Sequence, residues 1–259
     1  MTTGPESLSM LHAEVDGRGP RLVLVHGFAQ TRRCWGPVGA DLAIDHEIVR
    51  VDAPGHGKSS EFYAGLRTGA RLIADQGGRA TYLGYSMGGR FVLHLALANP
   101  ELVRGLVLIG ATGGIDDSEA RAKRREVDEA MAQRLERDGL QPFLDAWLAQ
   151  PLFAGLNEAM QFRAERLENT VDGLAESLRQ AGTGAQDPLW ERLGRIDAPV
   201  LVVAGERDDK FAAEATRLRD SIGDNATVAL VPGAGHAAHL EQPDALLAIV
   251  RPWLAANDL

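Results

Sequence analysis

Three residues of this chain could together make an activated oxygen nucleophile or base. Ser86 lies in Gly84-Tyr85-Ser86-Met87-Gly88-Gly89-Arg90, between an apolar run from Ala80 to Leu83 and a periodic segment from Phe91 to Ala98. That is a G-x-S-x-G pattern at a strand-to-helix turn, where side chains two residues either side of the serine would collide. At the helix N-terminus, backbone N–H groups and the helix dipole favour developing negative charge. A serine hydroxyl is a poor nucleophile or base at its own pKa. It needs an imidazole to take its proton and a carboxylate to fix the imidazole tautomer. Two later apolar runs lead to such groups: Val200 to Ala204 runs into Gly205-Glu206-Arg207-Asp208, and Ala226 to Val231 into Pro232-Gly233-Ala234-Gly235-His236. Asp209 competes with Asp208 for the carboxylate role. The expected triad is Ser86, Asp208 and His236. An oxyanion hole is expected from the backbone N–H groups of Met87 and of Phe28, which follows the apolar run ending at His26-Gly27.

The elements that must position these groups alternate along the chain. Leu8 to Val15 reads as an edge strand, and Arg21 to Val25 and Glu47 to Val51 as strands buried on both faces. Helices are expected around Trp35 to Ala43 and Leu66 to Asp75, and a further strand over Leu102 to Ile109. This order implies a mostly parallel α/β sheet with helices on both sides, whose C-terminal strand ends converge on one crevice. From about Gly114 to Gln186 no strand-like run occurs, only a charged helical pattern. We therefore expect a core of residues 1–113 and 187–259 and a helical lid of 114–186, inserted after the sixth strand of the sheet. A lid there can exclude water from the crevice.

Composition narrows the partners. The 259 residues carry a formal charge of −9, which argues against nucleic acid and favours a self-repelling soluble molecule. Cys34 is the only cysteine, so an internal disulfide is excluded. Met1 to Met10 shows neither the basic nor the apolar region of a signal peptide, and no apolar run approaches a bilayer span. A cytoplasmic protein without membrane insertion is the expectation. Against this acidic background, basic residues gather near the expected pocket. Arg90 lies one helical turn beyond Ser86, so its guanidinium should lean back toward the serine, either to bind a substrate carboxylate or to form a structural ion pair. Arg121, Lys123, Arg124 and Arg125 follow in the lid, with Arg166 further on, although part of this cluster should pair with Glu126, Asp128 and Glu129 on a solvated face. Trp147 suits either a lid core or a ring-bearing ligand. His26 reads as structural. His239 lies three residues past His236, as paired metal ligands can, but lacks a third ligand and reads as a helix-start or supporting group.

These landmarks resemble the α/β-hydrolase fold over nearly the whole chain. A narrower resemblance rests on the elbow with Tyr85 and Arg90, and on Trp147 with Gln150-Pro151-Leu152-Phe153. It rests also on Gly205 to Asp208 with Lys210-Phe211, on Ala234-Gly235-His236 with Ala238-His239, and on Arg121, Ala122, Arg124 and Asp128. Together these are similar to the 2-succinyl-6-hydroxy-2,4-cyclohexadiene-1-carboxylate synthases of menaquinone biosynthesis, which eliminate pyruvate from their precursor. The resemblance implies a cofactor-independent, metal-free lyase. In it His236, oriented by Asp208, deprotonates Ser86, and the alkoxide removes a ring proton. It further implies that Tyr85, Arg90 and Arg124 grip carboxylates of a small anionic substrate. Two other classes fit the same residues: a serine hydrolase of an acidic ester or enol-lactone, and a non-catalytic receptor on this scaffold. The intact triad counts against the receptor.

Overall fold

The computed structural model describes residues 10–259. Its centre is a seven-stranded sheet: β1 (Ala13–Asp16), β2 (Arg21–Val25), β3 (Glu47–Val51), β4 (Ala80–Tyr85), β5 (Val103–Ile109), β6 (Val200–Gly205) and β7 (Ala226–Val231). The strand order is β1-β3-β2-β4-β5-β6-β7. Only β1 runs antiparallel, pairing Ala13 with Val51 through Asp16 with Ile48. The expected edge strand therefore exists but is shorter, and the Leu8–Ser9 part of that expectation lies outside the described residues.

Strand periodicity splits the core into two layers. Val23, Val25, Val49 and Val51 face one cluster, whereas Leu22, Leu24 and Ile48 face the other. Helix α1 (Gly36–Leu42) belongs to the second layer through Val38 and Leu42. Helices α2 (Leu66–Gly77) and α3 (Met87–Ala98) cover the first, through residues such as Ile73 and Phe91.

Between β5 and β6 the chain leaves the sheet. It forms α4 (Ser118–Asp138), α5 (Leu140–Leu148), the one-turn α6 (Arg163–Arg166) and α7 (Val171–Ala181), joined by short 3-10 turns. This segment follows the fifth strand of the described residues, not the sixth as expected; the five strands before it correspond to the five apolar runs read from the sequence. The helices have a small core of their own, Ala132, Leu135, Phe143, Leu144, Leu174 and Leu178, which closes over Ala29 of the main domain. Polar bonds fix its far end. Arg166 Nη1 donates to Ala29 O at 2.8 Å, and Asn169 Oδ1 accepts from the Gly57 N–H at 2.9 Å. Glu168 joins a buried cluster in which Arg32, wholly enclosed, also pairs with Asp52 and Glu14. The chain then returns through β6, α8 (Asp209–Ile222), β7, the short α9 (Ala238–Glu241) and α10 (Pro243–Ala256). Among the described residues no helix is long and apolar enough to cross a membrane.

Candidate active site

The turn between β4 and α3 is built by the absence of side chains. A Cβ at Gly88 would lie 1.9 Å from Val25 O, and one at Gly84 would lie 2.6 Å from Gly88 O, so neither position admits alanine without moving backbone. This close packing forces Ser86 to φ 51°, ψ −108°, outside the regions an L-residue prefers. Such a conformation costs roughly 1–3 kcal/mol and persists because the surroundings dictate it. The Ser86 N–H is held by Ile109 O at 2.8 Å, and its side chain stands at the N-terminus of the 12-residue α3.

Loops after β6 and β7 bring the other two groups to it. His236 Nε2 lies 3.2 Å from Ser86 Oγ, and His236 Nδ1 lies 2.8 Å from Asp208 Oδ2. Asp208 also caps α8, its Oδ1 accepting from the Phe211 N–H at 3.2 Å, so both carboxylate oxygens are occupied and the side chain is fixed. Burial pushes the Asp208 carboxyl up, but the hydrogen bond and charge of His236, the Phe211 N–H and nearby Lys210 outweigh it and hold the group below the usual carboxylate range. Asp209 is exposed and is the first residue of α8, without a bond to His236. The Phe211 ring packs on His236 at 4.3 Å, and Tyr85 at 5.4 Å, leaving the imidazole one orientation. With Nδ1–H donating to Asp208, Nε2 can accept the serine proton.

Phe28 lies on the loop after β2, and Met87 is the first residue of α3. Two buried histidines brace the Phe28 loop from below. His26 Nε2 accepts from the Ala53 N–H at 3.0 Å, and His56 Nε2 accepts from the Ala29 N–H at 3.2 Å. Burial lowers their pKa values to about 4 and about 3, which keeps each neutral with its Nδ1–H directed to a carbonyl, that of Gly27 or Pro54. His26 is thus structural, as its place in the sequence suggests. His56 is its partner, and only the turn-rich Pro54-Gly55-His56-Gly57 stretch hinted at it.

Above Ser86 lies a cavity of about 170 Å³, whose walls include Phe28, Tyr85, Met87, Arg90, Arg124, Trp147, Arg166 and His236. The expected nucleophile, histidine, oxyanion-hole residues, Tyr85, Trp147 and three of the expected arginines all touch it, and Asp208 stands behind His236. The cations are its distinguishing chemistry. Arg90 is only 6% exposed; its Nη1 donates to Ala181 O at 2.8 Å, and among the described residues no carboxylate pairs with it. Burial, then the charge of Arg124, lowers its pKa to about 10. Arg166 is 1% exposed and bonds only to the carbonyls of Ala29 and Gln161, and its Nη2 has no partner among the described residues. Burial likewise lowers its pKa. Arg124 is held by Asp128 through Nε at 2.8 Å.

The rest of the basic cluster expected over the pocket is not there. Lys123 and Arg125 are exposed, and Arg121 donates to the Ile115 and Asp116 carbonyls at the start of α4. The structure also brings in residues that sequence reasoning had not assigned. Gln30, Met131, Ser177 and Thr183 line the cavity, as does Lys210, which entered the sequence reading only within the family resemblance and without a role. Trp147 lies between Phe28 and Phe153, at ring distances of 5.2 and 5.7 Å, and its indole N–H has no partner among the described residues. It is therefore at once part of the helical layer's packing and a cavity wall. His239 packs against Tyr85 at 4.2 Å, and burial lowers its pKa to about 3. Among the described residues no group of three or more His, Cys, Asp or Glu side chains is arranged to hold a metal ion.

Comparison with known proteins agrees with this geometry. Residues 22–249 match the model of the alpha/beta hydrolase family. The chain is 37% identical over 239 residues to a 2-succinyl-6-hydroxy-2,4-cyclohexadiene-1-carboxylate synthase of Enterobacter sp. (strain 638), covering 88% of this chain and 89% of that one. It is 34% identical over 258 residues to the synthase of the same name from Klebsiella pneumoniae subsp. pneumoniae, covering 95% and 100% of the two chains. Among solved structures, MenH from S. aureus superposes with a TM-score of 0.87 at 28% identity, over 96% of this chain and 100% of that one. The chain therefore belongs to the alpha/beta hydrolase family and, within it, to the family of the 2-succinyl-6-hydroxy-2,4-cyclohexadiene-1-carboxylate synthases, the MenH enzymes.

Proposed function

We propose that this protein is a 2-succinyl-6-hydroxy-2,4-cyclohexadiene-1-carboxylate synthase, a cytoplasmic carbon–oxygen lyase that eliminates pyruvate in menaquinone biosynthesis. The observation that carries the reading is the pair of buried guanidinium groups, Arg90 and Arg166, beside Ser86 without a carboxylate of the protein to neutralise them. A buried unpaired cation is costly in the empty protein and becomes favourable when an anionic ligand arrives. A neutral ester gives no such return. The name of the relatives' product specifies an anionic carboxylate-bearing ring, which fits an aromatic cavity lined by guanidinium groups.

In this reading Ser86 acts as a base. His236 Nε2 takes the hydroxyl proton, while Asp208 stabilises the imidazolium that forms. The alkoxide removes a proton from a ring carbon, and the electron pair of that C–H bond enters the ring π-system. The ring C–O bond to the pyruvyl unit breaks, and its oxygen leaves with the pair as the enolate of pyruvate, which is then protonated. Charge developing on the substrate is met by the Phe28 N–H on the loop after β2 and the Met87 N–H at the N-terminus of α3. Tyr85, Arg90, Arg124 and Arg166 hold carboxylates, and Trp147 covers the ring. Residues 114–186 act as the lid that shuts out water. No cofactor or metal is needed.

The test is turnover of the precursor by the purified protein, followed by pyruvate release and by formation of the conjugated diene. Wild type should produce both in equal amounts, and Ser86→Ala should lose several orders of magnitude in kcat with its fold unchanged. A protein that leaves the precursor intact but cleaves neutral aryl esters is a general serine hydrolase, and the proposal fails.

A further inference from the structure

The space around Ser86 is double. Beside the aromatic cavity lies a second one of about 420 Å³, bounded by Gly110, Thr112, Gly114 and Glu214. The two share Ser86, Arg90, Arg124, Thr183, Lys210 and Phe211 as a common wall. A substrate reacting at Ser86 can therefore extend into both.

The charges of the second lobe are unevenly committed. Arg217 is paired with Asp116 and lies over the Trp190 ring at 3.7 Å. Glu214 accepts from the Thr112 hydroxyl at 2.5 Å, and Asp117 caps α4 by accepting from the Ala120 N–H at 2.7 Å. On the shared wall, Arg90 and Arg124 are anchored to Ala181 O and to Asp128. Lys210 is different. It is exposed in both cavities and is the cation here that no carboxylate or carbonyl of the described residues holds. Its ammonium sits 5.3 Å from the Phe211 ring, close to the ring that covers His236. Of the carboxylates lining the lobe, Asp116 is neutralised by Arg217, and Glu214 and Asp117 are engaged by the Thr112 hydroxyl and the Ala120 N–H, so Lys210 is the cation left to meet a carboxylate that enters.

We infer that the second lobe is a leaving-group site in which Lys210 binds the carboxylate of the departing 2-oxo acid. The inference rests on the lyase reading above. The chemistry divides along the wall. The part of the substrate that remains after elimination is gripped by arginines held in fixed planes. The part that must depart faces a cation on a flexible four-carbon stem, which keeps contact as the anion moves out. The charge balance is complete: the leaving oxygen takes the electron pair of the broken C–O bond, and the Lys210 ammonium on the shared wall supplies the cation for the carboxylate of the resulting enolate dianion. Lys210 is thus a specificity residue for the 2-oxo acid and not part of the proton relay.

The experiment compares wild type with Lys210→Met and Lys210→Arg, with Lys123→Met on exposed α4 as the control. Three quantities are read: kcat/KM for the precursor, the inhibition constant of added pyruvate, and that of the cyclohexadiene product. Lys210→Met should weaken pyruvate inhibition and lower kcat/KM by about tenfold or more, while product inhibition changes less than about twofold. Lys210→Arg should recover part of both losses, and Lys123→Met should match wild type. Unchanged pyruvate inhibition in Lys210→Met overturns the inference, as does a parallel weakening of pyruvate and product. A wild-type protein that turns over no precursor overturns the lyase reading itself, a result visible before any Lys210 variant is made.

Discussion

Methionine in place of Arg90 keeps most of the side chain's length and removes its charge. In the folded protein, burial lowers the guanidinium from its ordinary 12.5 to about 10. At ~1.4 kcal/mol for each tenfold change in proton affinity, this amounts to roughly 3 kcal/mol against the folded state. The folded pKa lies below the unfolded one, so the full penalty applies at neutral pH and fades only as pH rises from about 10 toward 12.5. The hydrogen bond to Ala181 O offsets about 1–2 kcal/mol of it. Arg90→Met should therefore stabilise the unliganded protein by about 1–2 kcal/mol, a rise of roughly 2–8 °C in Tm for a chain of this size. The same change should lower kcat/KM for the anionic precursor by about 2–5 kcal/mol, from roughly 30-fold to several thousand-fold, because a buried carboxylate loses its partner. Thermal denaturation of the ligand-free protein and steady-state kinetics read the two effects separately. Turnover of a neutral aryl ester should stay level or rise. A fall in Tm alongside the loss of activity would refute the reasoning, since Arg90 would then be holding the fold together. Equal losses on charged and neutral substrates at unchanged Tm would refute it differently, by removing the carboxylate from the argument.

Asp208→Asn should cost on the order of 10⁴ in kcat by leaving His236 in the wrong tautomer, while Asp209→Asn should cost little; the reverse pattern would move the carboxylate role by one residue. Gly88→Ala should destabilise by roughly 3 kcal/mol or more or prevent folding, because its Cβ would meet Val25 O at 1.9 Å, and a soluble variant with wild-type Tm would contradict the packing described. Burial lowers His26, His56, His94 and His239 from 6.5 to about 4, 3, 4 and 3. The unfolded chain therefore binds more protons below pH 6.5, so stability should fall by roughly 1–2 kcal/mol for each of them between neutral pH and pH 5. Urea midpoints at the two pH values check this, and equal midpoints would rule it out. His239→Phe should flatten the dependence, since neither ring nitrogen of His239 has a partner among the described residues.

Much of the architecture is legible from the sequence because buried parallel strands write themselves as continuous apolar runs. Arg21 to Val25, Ala80 to Leu83 and Val200 to Ala204 fall within a residue or two of their observed bounds at that level of reading. The positions of Ser86, Asp208 and His236 follow from the same signal, since each stands just past a strand end. The cavity's cations were harder to read. α4 is charged on nearly every side, so its pattern does not say that Arg124 turns inward while Lys123 and Arg125 turn out. Arg32 drew no assignment from the sequence, yet it is wholly buried with Asp52, because the partners that justify its burial, Glu14 and Glu168, lie far away in the chain. Contacts of that span leave no local pattern.

The position of β7 has a consequence for how the protein fails under heat. It is an edge strand, hydrogen-bonded to a strand on one side only among the described residues, and Leu230 near its end is 45% exposed. The loop that carries His236 hangs from that strand, braced by Glu241 through the Gly235 and Ala237 N–H groups. Ser86, by contrast, stands at the end of β4 in the middle of the sheet. Edge strands open locally at a lower free energy than central ones. Fraying of β7 would draw the imidazole away from a serine and an oxyanion loop that remain intact. Inactivation on warming should therefore begin several degrees below global melting and reverse fully on cooling, with the amides of β7 exchanging their hydrogens well before those of β4.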